Sequence, residues 1–130
     1  MTNDLTAFLK ARFDEDERVA RADRGYSQEW HTEVARDDQH DGGRACVRSS
    51  QGDVITGDVD VERARHIAHY DPARMLREVA AKRQILDAHA DIPGDGINFT
   101  RAEQDRAEET LRLLALPYAD HDDYQEEWAP

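Results

Sequence analysis

This 130-residue chain contains a single cysteine, few aromatic residues and no long apolar run. Because a disulfide needs two thiols, Cys46 cannot form one within the chain, which is typical of a protein from a reducing compartment. The N-terminal residues lack the apolar core of a secretion signal, and no stretch is apolar enough to span a bilayer. These absences predict a cytoplasmic protein that does not bind a membrane.

Catalytic signatures are also missing. The sequence has no glycine-rich phosphate loop and no nucleophile elbow. Cys46 has no adjacent basic or histidine residue that would favour the thiolate needed by a catalytic cysteine. We therefore expect a binding protein rather than an enzyme, and the sequence identifies no catalytic residue and calls for no cofactor.

Basic residues are outnumbered by acidic ones, 17 to 29, and the formal net charge is −12. Such a charge repels nucleic acid and anionic membranes, so direct nucleic-acid binding is not expected. It favours a protein partner with a basic surface. An alternative is a DNA mimic that occupies the site of a nucleic-acid-binding protein. Acidity that serves only solubility is the simplest interpretation.

The apolar pattern predicts one α+β domain over residues 1–130, with about four helices packed on a small three-stranded antiparallel meander. A first helix is predicted to be capped by Thr2 or Asn3 and to run to about Arg21. Further helices are predicted over residues 61–69 and 72–89, and from Thr100 to about Pro117. Alternating residues predict strands over 30–35, 44–48 and 54–56, the last ended by Gly57. A sheet this small needs a helix on one face.

Local signals mark two helix starts. Asp71 and Pro72 suit the N-cap and first position of the long helix, and Thr100 with Glu103 has capping-box spacing. The predicted inner faces are Leu5, Phe8, Leu9, Phe13, Val19 and Ala20 for the first helix, Met75, Leu76, Val79, Ala80 and Leu86 for the long helix, and Ala107, Leu111, Leu113 and Leu114 for the last. Arg83 lies within the second stripe and should pair with Asp16 or Glu17, or extend its head to solvent.

One candidate metal site lies on the short second helix. Glu62, His66 and His69 are four and three residues apart, so two imidazoles and a carboxylate share a helix face. That set could bind a divalent metal such as zinc, in a metal-binding protein or a metal-dependent hydrolase. A solvated polar face is the alternative, because this spacing is common.

The C-terminal segment, residues 117–130, combines acidic and aromatic residues with no Lys or Arg. Asp120, His121, Asp122 and Asp123 could hold a hard cation, although the spacing of a known calcium loop is absent. Aromatic anchors and acids are also what a partner-binding segment uses. We predict partner binding by Tyr118, Asp120, Asp122, Asp123, Tyr124 and Trp128, with Trp128 packed on the body or on the partner.

Three blocks carry a family resemblance: LTAFLKARFDEDERVAR, HIAHYDPARMLREVAAKRQILDAH and LRLLALPYADHDDYQEEW. Together they resemble a family of small actinobacterial and actinophage proteins of unknown function, which implies a phage or prophage context. The resemblance implies that many relatives hold a Cys- and His-containing segment, of a kind that looks metal-binding, between the long helix and the third block. Here residues 90–110 contain neither Cys nor His, so that ligand set does not carry over.

Overall fold

The computed structural model describes residues 2–22, 25–35, 43–94 and 96–130. Within these residues the chain forms four α-helices and one antiparallel sheet of strand order β1-β2-β3, which confirms the predicted α+β class. The elements are α1 (Thr2–Arg21), β1 (Trp30–Val34), β2 (Arg44–Ser49), β3 (Val54–Asp60), α2 (Val61–His69), α3 (Pro72–His89) and α4 (Arg101–Ala115), followed by 3-10 helices at Leu116–Tyr118 and Glu126–Trp128.

The chain divides into two compact units. Unit 1 comprises Met1–Asp16 and Val79–Pro130, and unit 2 comprises Glu17–Glu78. The division falls inside α1 and α3, so each of these helices contributes residues to both units. The prediction of one domain over residues 1–130 stays a prediction.

Unit 1 has an apolar core built from α1, α3, α4 and the C-terminal segment. Its side chains follow the helical repeat of each helix, as an amphipathic helix requires when it buries one stripe. The buried members are Leu5, Phe8, Leu9, Phe13, Val79, Leu86, Leu111, Ala115 and Trp128. The long helix is therefore part of this core, as its stripe predicts.

Unit 2 is a sheet covered by α2. Thr32 lies opposite Val47 and Val34 opposite Ala45 in the register of β1 with β2. Ala45 and Val47 are buried in a cluster with Val61 and Ala64 of α2. The expectation that one face of the meander lies on a helix is confirmed.

Three residues predicted for inner faces are in fact exposed: Val19 at 70%, Leu113 at 51%, and Ala80. Each is turned away from a buried neighbour by the helical repeat of about 100° per residue. Val19 and Ala80 are one residue from Ala20 and Val79, and Leu113 is two residues beyond Leu111, on nearly the opposite side of α4. Apolar character alone had placed them on the wrong face.

The third strand is longer than predicted, because it continues past Gly57 to Asp60. Asp58 has φ 47°, in the left-handed region that Asp tolerates better than most residues. A register shift accompanies this turn of the backbone. Arg44 holds the irregular end, since Nε lies 2.9 Å from Oδ1 of Asp58 and Nη1 lies 2.9 Å from Oδ1 of Asp60.

Both predicted helix starts are confirmed. The Asp71 carboxylate accepts the backbone N–H of Arg74 at 2.8 Å, the contact expected of an N-cap. At α4, Thr100 Oγ1 accepts the N–H of Glu103 at 3.2 Å, and the Glu103 carboxylate accepts the N–H of Thr100 at 2.7 Å. These reciprocal bonds satisfy backbone donors that a helix leaves unpaired.

Candidate partner-binding surfaces

The C-terminal segment folds onto α1 through an aromatic cluster centred on Phe8. Trp128 is nearest, with ring centroids 5.1 Å apart. The other ring centroids lie 5.7 Å from Phe8 for His121, 6.0 Å for Tyr124 and 6.4 Å for Tyr118. The Tyr118 hydroxyl also donates to the Asp16 carboxylate at 2.6 Å. The segment is thus attached by packed rings and by one charge-assisted hydrogen bond.

Trp128 is only 4% exposed and belongs to the core of unit 1, which confirms that its ring packs against the body of the protein. An aromatic side chain of this kind buries about 150–250 Å². While the segment stays docked, a partner cannot contact the Trp128 ring. Partner binding by Trp128 stays a prediction.

The acids of the C-terminal segment all face outward. The five side chains belong to exposed residues: Asp120, Asp122, Asp123, Glu126 and Glu127. Because the rings of Tyr118, Tyr124 and Trp128 turn inward, the segment presents carboxylates on one side and aromatic rings on the other. We call these five residues the tail acids.

His121 makes two contacts in the middle of the segment. The N–H of Asp123 donates to His121 Nδ1 at 3.0 Å, while the imidazole ring lies against Phe8. The hard-cation site suggested for Asp120 to Asp123 has no counterpart among the described residues, where no three His, Cys, Asp or Glu side chains are grouped for a metal.

A second cluster surrounds Tyr70, between α2 and α3 in unit 2. The ring centroids of His66 and His69 each lie 5.0 Å from that of Tyr70, and the Arg74 guanidinium lies 5.1 Å from it. Tyr70 is 47% exposed. The sequence had identified this position only as a break between helices. The signal that could have marked it is a tyrosine with histidines one and four residues before it and an arginine four residues after it.

The predicted metal ligands have other partners here. Arg74 Nη1 lies 2.8 Å from His69 Nε2, and since a guanidinium only donates, this imidazole nitrogen is the acceptor. Glu62 pairs with Arg65 at 2.9 Å. Within the described residues, Glu62, His66 and His69 do not form a metal-binding group. Zinc binding by these three residues stays a prediction.

Further arginines lie one helical turn from members of the Tyr70 cluster, since Arg63 is three residues before His66 in α2 and Arg77 is three residues after Arg74 in α3. Arg74 Nε is 3.0 Å from the Glu78 carboxylate. Arg63 and Arg77 are exposed, and neither has an ion-pair partner in the part of the chain that the structure describes. We call Arg63, Tyr70, Arg74 and Arg77, with His66, the basic junction.

Charged pairs also cover the outer face of the sheet. Glu33 accepts from His31 at 3.1 Å and lies 2.7 Å from Arg48, and its pKa is lowered, chiefly by the His31 contact. The Arg44 hydrogen bond lowers the pKa of Asp58. Because these pairs are exposed, this face of the sheet is solvated, and each pair contributes little to the stability of the fold.

Arg83 has a partner other than those predicted. Its Nη2 lies 2.7 Å from the Asp14 carboxylate of α1, and the Arg83 side chain is 36% exposed. The expectation of an acidic partner on the first helix is confirmed, although Asp14 was not one of the two residues named for it. Asp16 instead accepts the hydroxyl of Tyr118.

Comparison with known proteins places the chain in a family. A family of unknown function, DUF6221, matches residues 2–130. The chain belongs to this family. No curated protein and no solved structure matches it. The DUF6221 match therefore comes without an activity, a ligand or a partner. Among the described residues, no helix of this family member is both long and apolar enough to cross a membrane.

Proposed function

We propose that this protein is a small binding protein with a regulatory role, not an enzyme, and that its tail acids contact a basic surface of a protein partner. The observation that carries the proposal is the division of the C-terminal segment into two sides. Three aromatic side chains turn toward Phe8, and five carboxylates face solvent with no Lys or Arg in residues 117–130.

The docked rings supply preorganisation. A disordered acidic tail would lose conformational entropy on binding, whereas a segment already held by Trp128 loses less. Carboxylates at fixed positions also favour one arrangement of positive charges over another, and they speed association with a basic surface. A solubility tail would need neither the buried tryptophan nor the hydrogen bond from Tyr118 to Asp16.

We propose a cytoplasmic setting in an actinobacterium or its phage. The support is the resemblance of the three sequence blocks and the free thiol of Cys46. The acidic charge also argues against direct binding of nucleic acid or anionic lipid.

The test is a comparative capture from lysate of the native host. Three baits are compared: the intact chain, the charge-reversed variant Asp122→Lys/Glu126→Lys, and the matched control Asp87→Lys/Asp91→Lys. The control changes the net charge by the same amount, at exposed positions outside the segment. We expect a protein retained by the first and third baits and lost from the second. Calorimetry with the purified partner should then show weaker binding to the tail variant.

Recovery of the same proteins by all three baits would contradict the proposal, because the tail acids would then be irrelevant. A recovered partner that binds nucleic acid should be tested for competition between DNA and this protein. Competition that weakens steeply with salt is the result that the DNA-mimic alternative predicts.

A further inference from the structure

The basic junction has the composition of a binding surface. Tyrosine and arginine are the residues most enriched at protein interfaces, where an exposed ring supplies area and a guanidinium supplies directed hydrogen bonds. Tyr70 leaves 47% of its surface exposed, although Arg74, His66 and His69 surround the ring. These side chains hold Tyr70 in position rather than covering it.

The junction also carries unbalanced positive charge. Four arginines, Arg63, Arg65, Arg74 and Arg77, outnumber the three carboxylates of Glu62, Asp71 and Glu78 by one, and Glu62 and Glu78 pair with Arg65 and Arg74. Arg63 and Arg77 remain exposed with no ion-pair partner among the described residues. Two exposed arginines without ion-pair partners, one helical turn from His66 and from Arg74, favour an acidic occupant.

We propose that the occupant is a second copy of this chain, whose tail acids dock on the basic junction. The inference rests on the proposed function, since it names the partner of the tail acids. Charge complementarity carries it: the C-terminal segment has five exposed carboxylates and no base, and the junction has the unpaired arginines. Every molecule supplies both halves of the contact.

The contact does not require either surface to unfold. The tail acids face solvent while Trp128 stays buried, and Arg63 and Arg77 are exposed as they stand. Because every molecule carries both surfaces, two copies are sufficient for the contact. Attraction between exposed charges is screened by salt, which predicts a weak and salt-sensitive dimer.

Sedimentation velocity of the full-length chain tests this. At low ionic strength the weight-average sedimentation coefficient should rise with protein concentration toward that of a dimer. In 0.5 M salt the dissociation constant should increase by roughly tenfold or more, because the Debye length falls to a few ångströms. Circular dichroism checks that each variant below is folded.

Two charge-reversed variants separate the halves of the contact. The variant Arg63→Glu/Arg77→Glu reverses the charge of two junction arginines. The variant Asp122→Lys/Glu126→Lys reverses the charge of two tail acids. Each variant alone should sediment as a monomer. An equimolar mixture should associate again, since the intact segment of the first can dock on the intact junction of the second. Arg101→Glu/Arg106→Glu and Asp87→Lys/Asp91→Lys are charge-matched controls and should dimerise as the natural chain does.

A natural chain that stays monomeric at all concentrations would overturn the inference. So would junction variants that dimerise normally, or a mixture that fails to associate. If the natural chain is monomeric but the host partner still depends on the tail acids, the proposed function stands and only the self-association is wrong. If the tail variant retains the host partners as fully as the control does, the proposed function is itself overturned.

Discussion

The Asp71 carboxylate links α3 to the edge strand of the sheet through Trp30. Its Oδ2 accepts the backbone N–H of Trp30 at 3.0 Å, while its Oδ1 accepts the N–H of Arg74 at 2.8 Å. One side chain therefore caps a helix and also satisfies a donor on the open edge of β1. An edge with satisfied donors is a poor template for pairing with another chain.

Two substitutions of Asp71 should destabilise the protein to different extents. Asp71→Ala removes both acceptors, and we expect a loss of about 1–3 kcal/mol in the free energy of unfolding. Asp71→Asn keeps one acceptor oxygen and remains a good N-cap, so its loss should be smaller. Urea denaturation of the two variants checks this. Equal losses would contradict the double role.

The core of unit 1 can be tested with two leucines on the same helix. Leu111 is fully buried and Leu113 is 51% exposed. Leu111→Ala should lower the free energy of unfolding by about 2–5 kcal/mol, because it leaves a cavity. Leu113→Ala changes helix composition equally and should cost about 0.5 kcal/mol or less. A similar shift of the urea midpoint in both variants would contradict the assigned faces of α4.

The anchoring of the C-terminal segment by Trp128 predicts a large effect of its removal. Trp128→Ala should cost about 3–5 kcal/mol, as expected for truncating a buried aromatic residue. Fluorescence reports on the same contact, since Trp30→Phe leaves Trp128 as the only tryptophan. We expect an emission maximum to the blue of free tryptophan and slow quenching. Emission like that of free tryptophan would disprove the docked segment.

The capping box of α4 should make part of the stability depend on pH. The hydrogen bond from the N–H of Thr100 lowers the pKa of Glu103 from its ordinary value of 4.5. A group with a lowered pKa in the folded state contributes stability that is complete above 4.5 and is lost as the pH falls through the folded pKa. Acidification should therefore remove this contribution.

Glu103→Gln is the matched control, because glutamine can complete a capping box but does not titrate. Urea unfolding between pH 7 and pH 3 should show the natural chain losing more stability than the variant on the acid side. Parallel curves for the two proteins would show that the Glu103 carboxylate does not contribute through ionisation.

The metal alternative makes its own prediction. If Glu62, His66 and His69 bind zinc, the metal should raise the melting temperature by mass action, and His66→Ala should abolish the rise. His31→Ala is the control, since it removes an exposed histidine on another element. A rise that is equal in the natural chain and in His66→Ala would exclude this site.

The elements of this fold could be predicted because their signals lie within a few residues of each other. Thr100 and Glu103 form the capping box that their spacing indicates. Asp71 and Pro72 begin α3 as predicted, and alternation placed β1 and β2 within one residue of their observed ends. The third strand was predicted to end at Gly57, but its pairing with β2 continues through a register shift that its own residues do not indicate.

The sequence by itself determined the four α-helices, the first two strands, the excess of acid and the location of the aromatic residues at the C-terminus. Tertiary structure decided which way each side chain faces. It placed Trp128 beside Phe8, and it paired Arg83 with Asp14 rather than with Asp16. The physical reason is range: a cap or an alternating strand depends on neighbours in the chain, whereas burial and ion pairing depend on residues that only folding brings together.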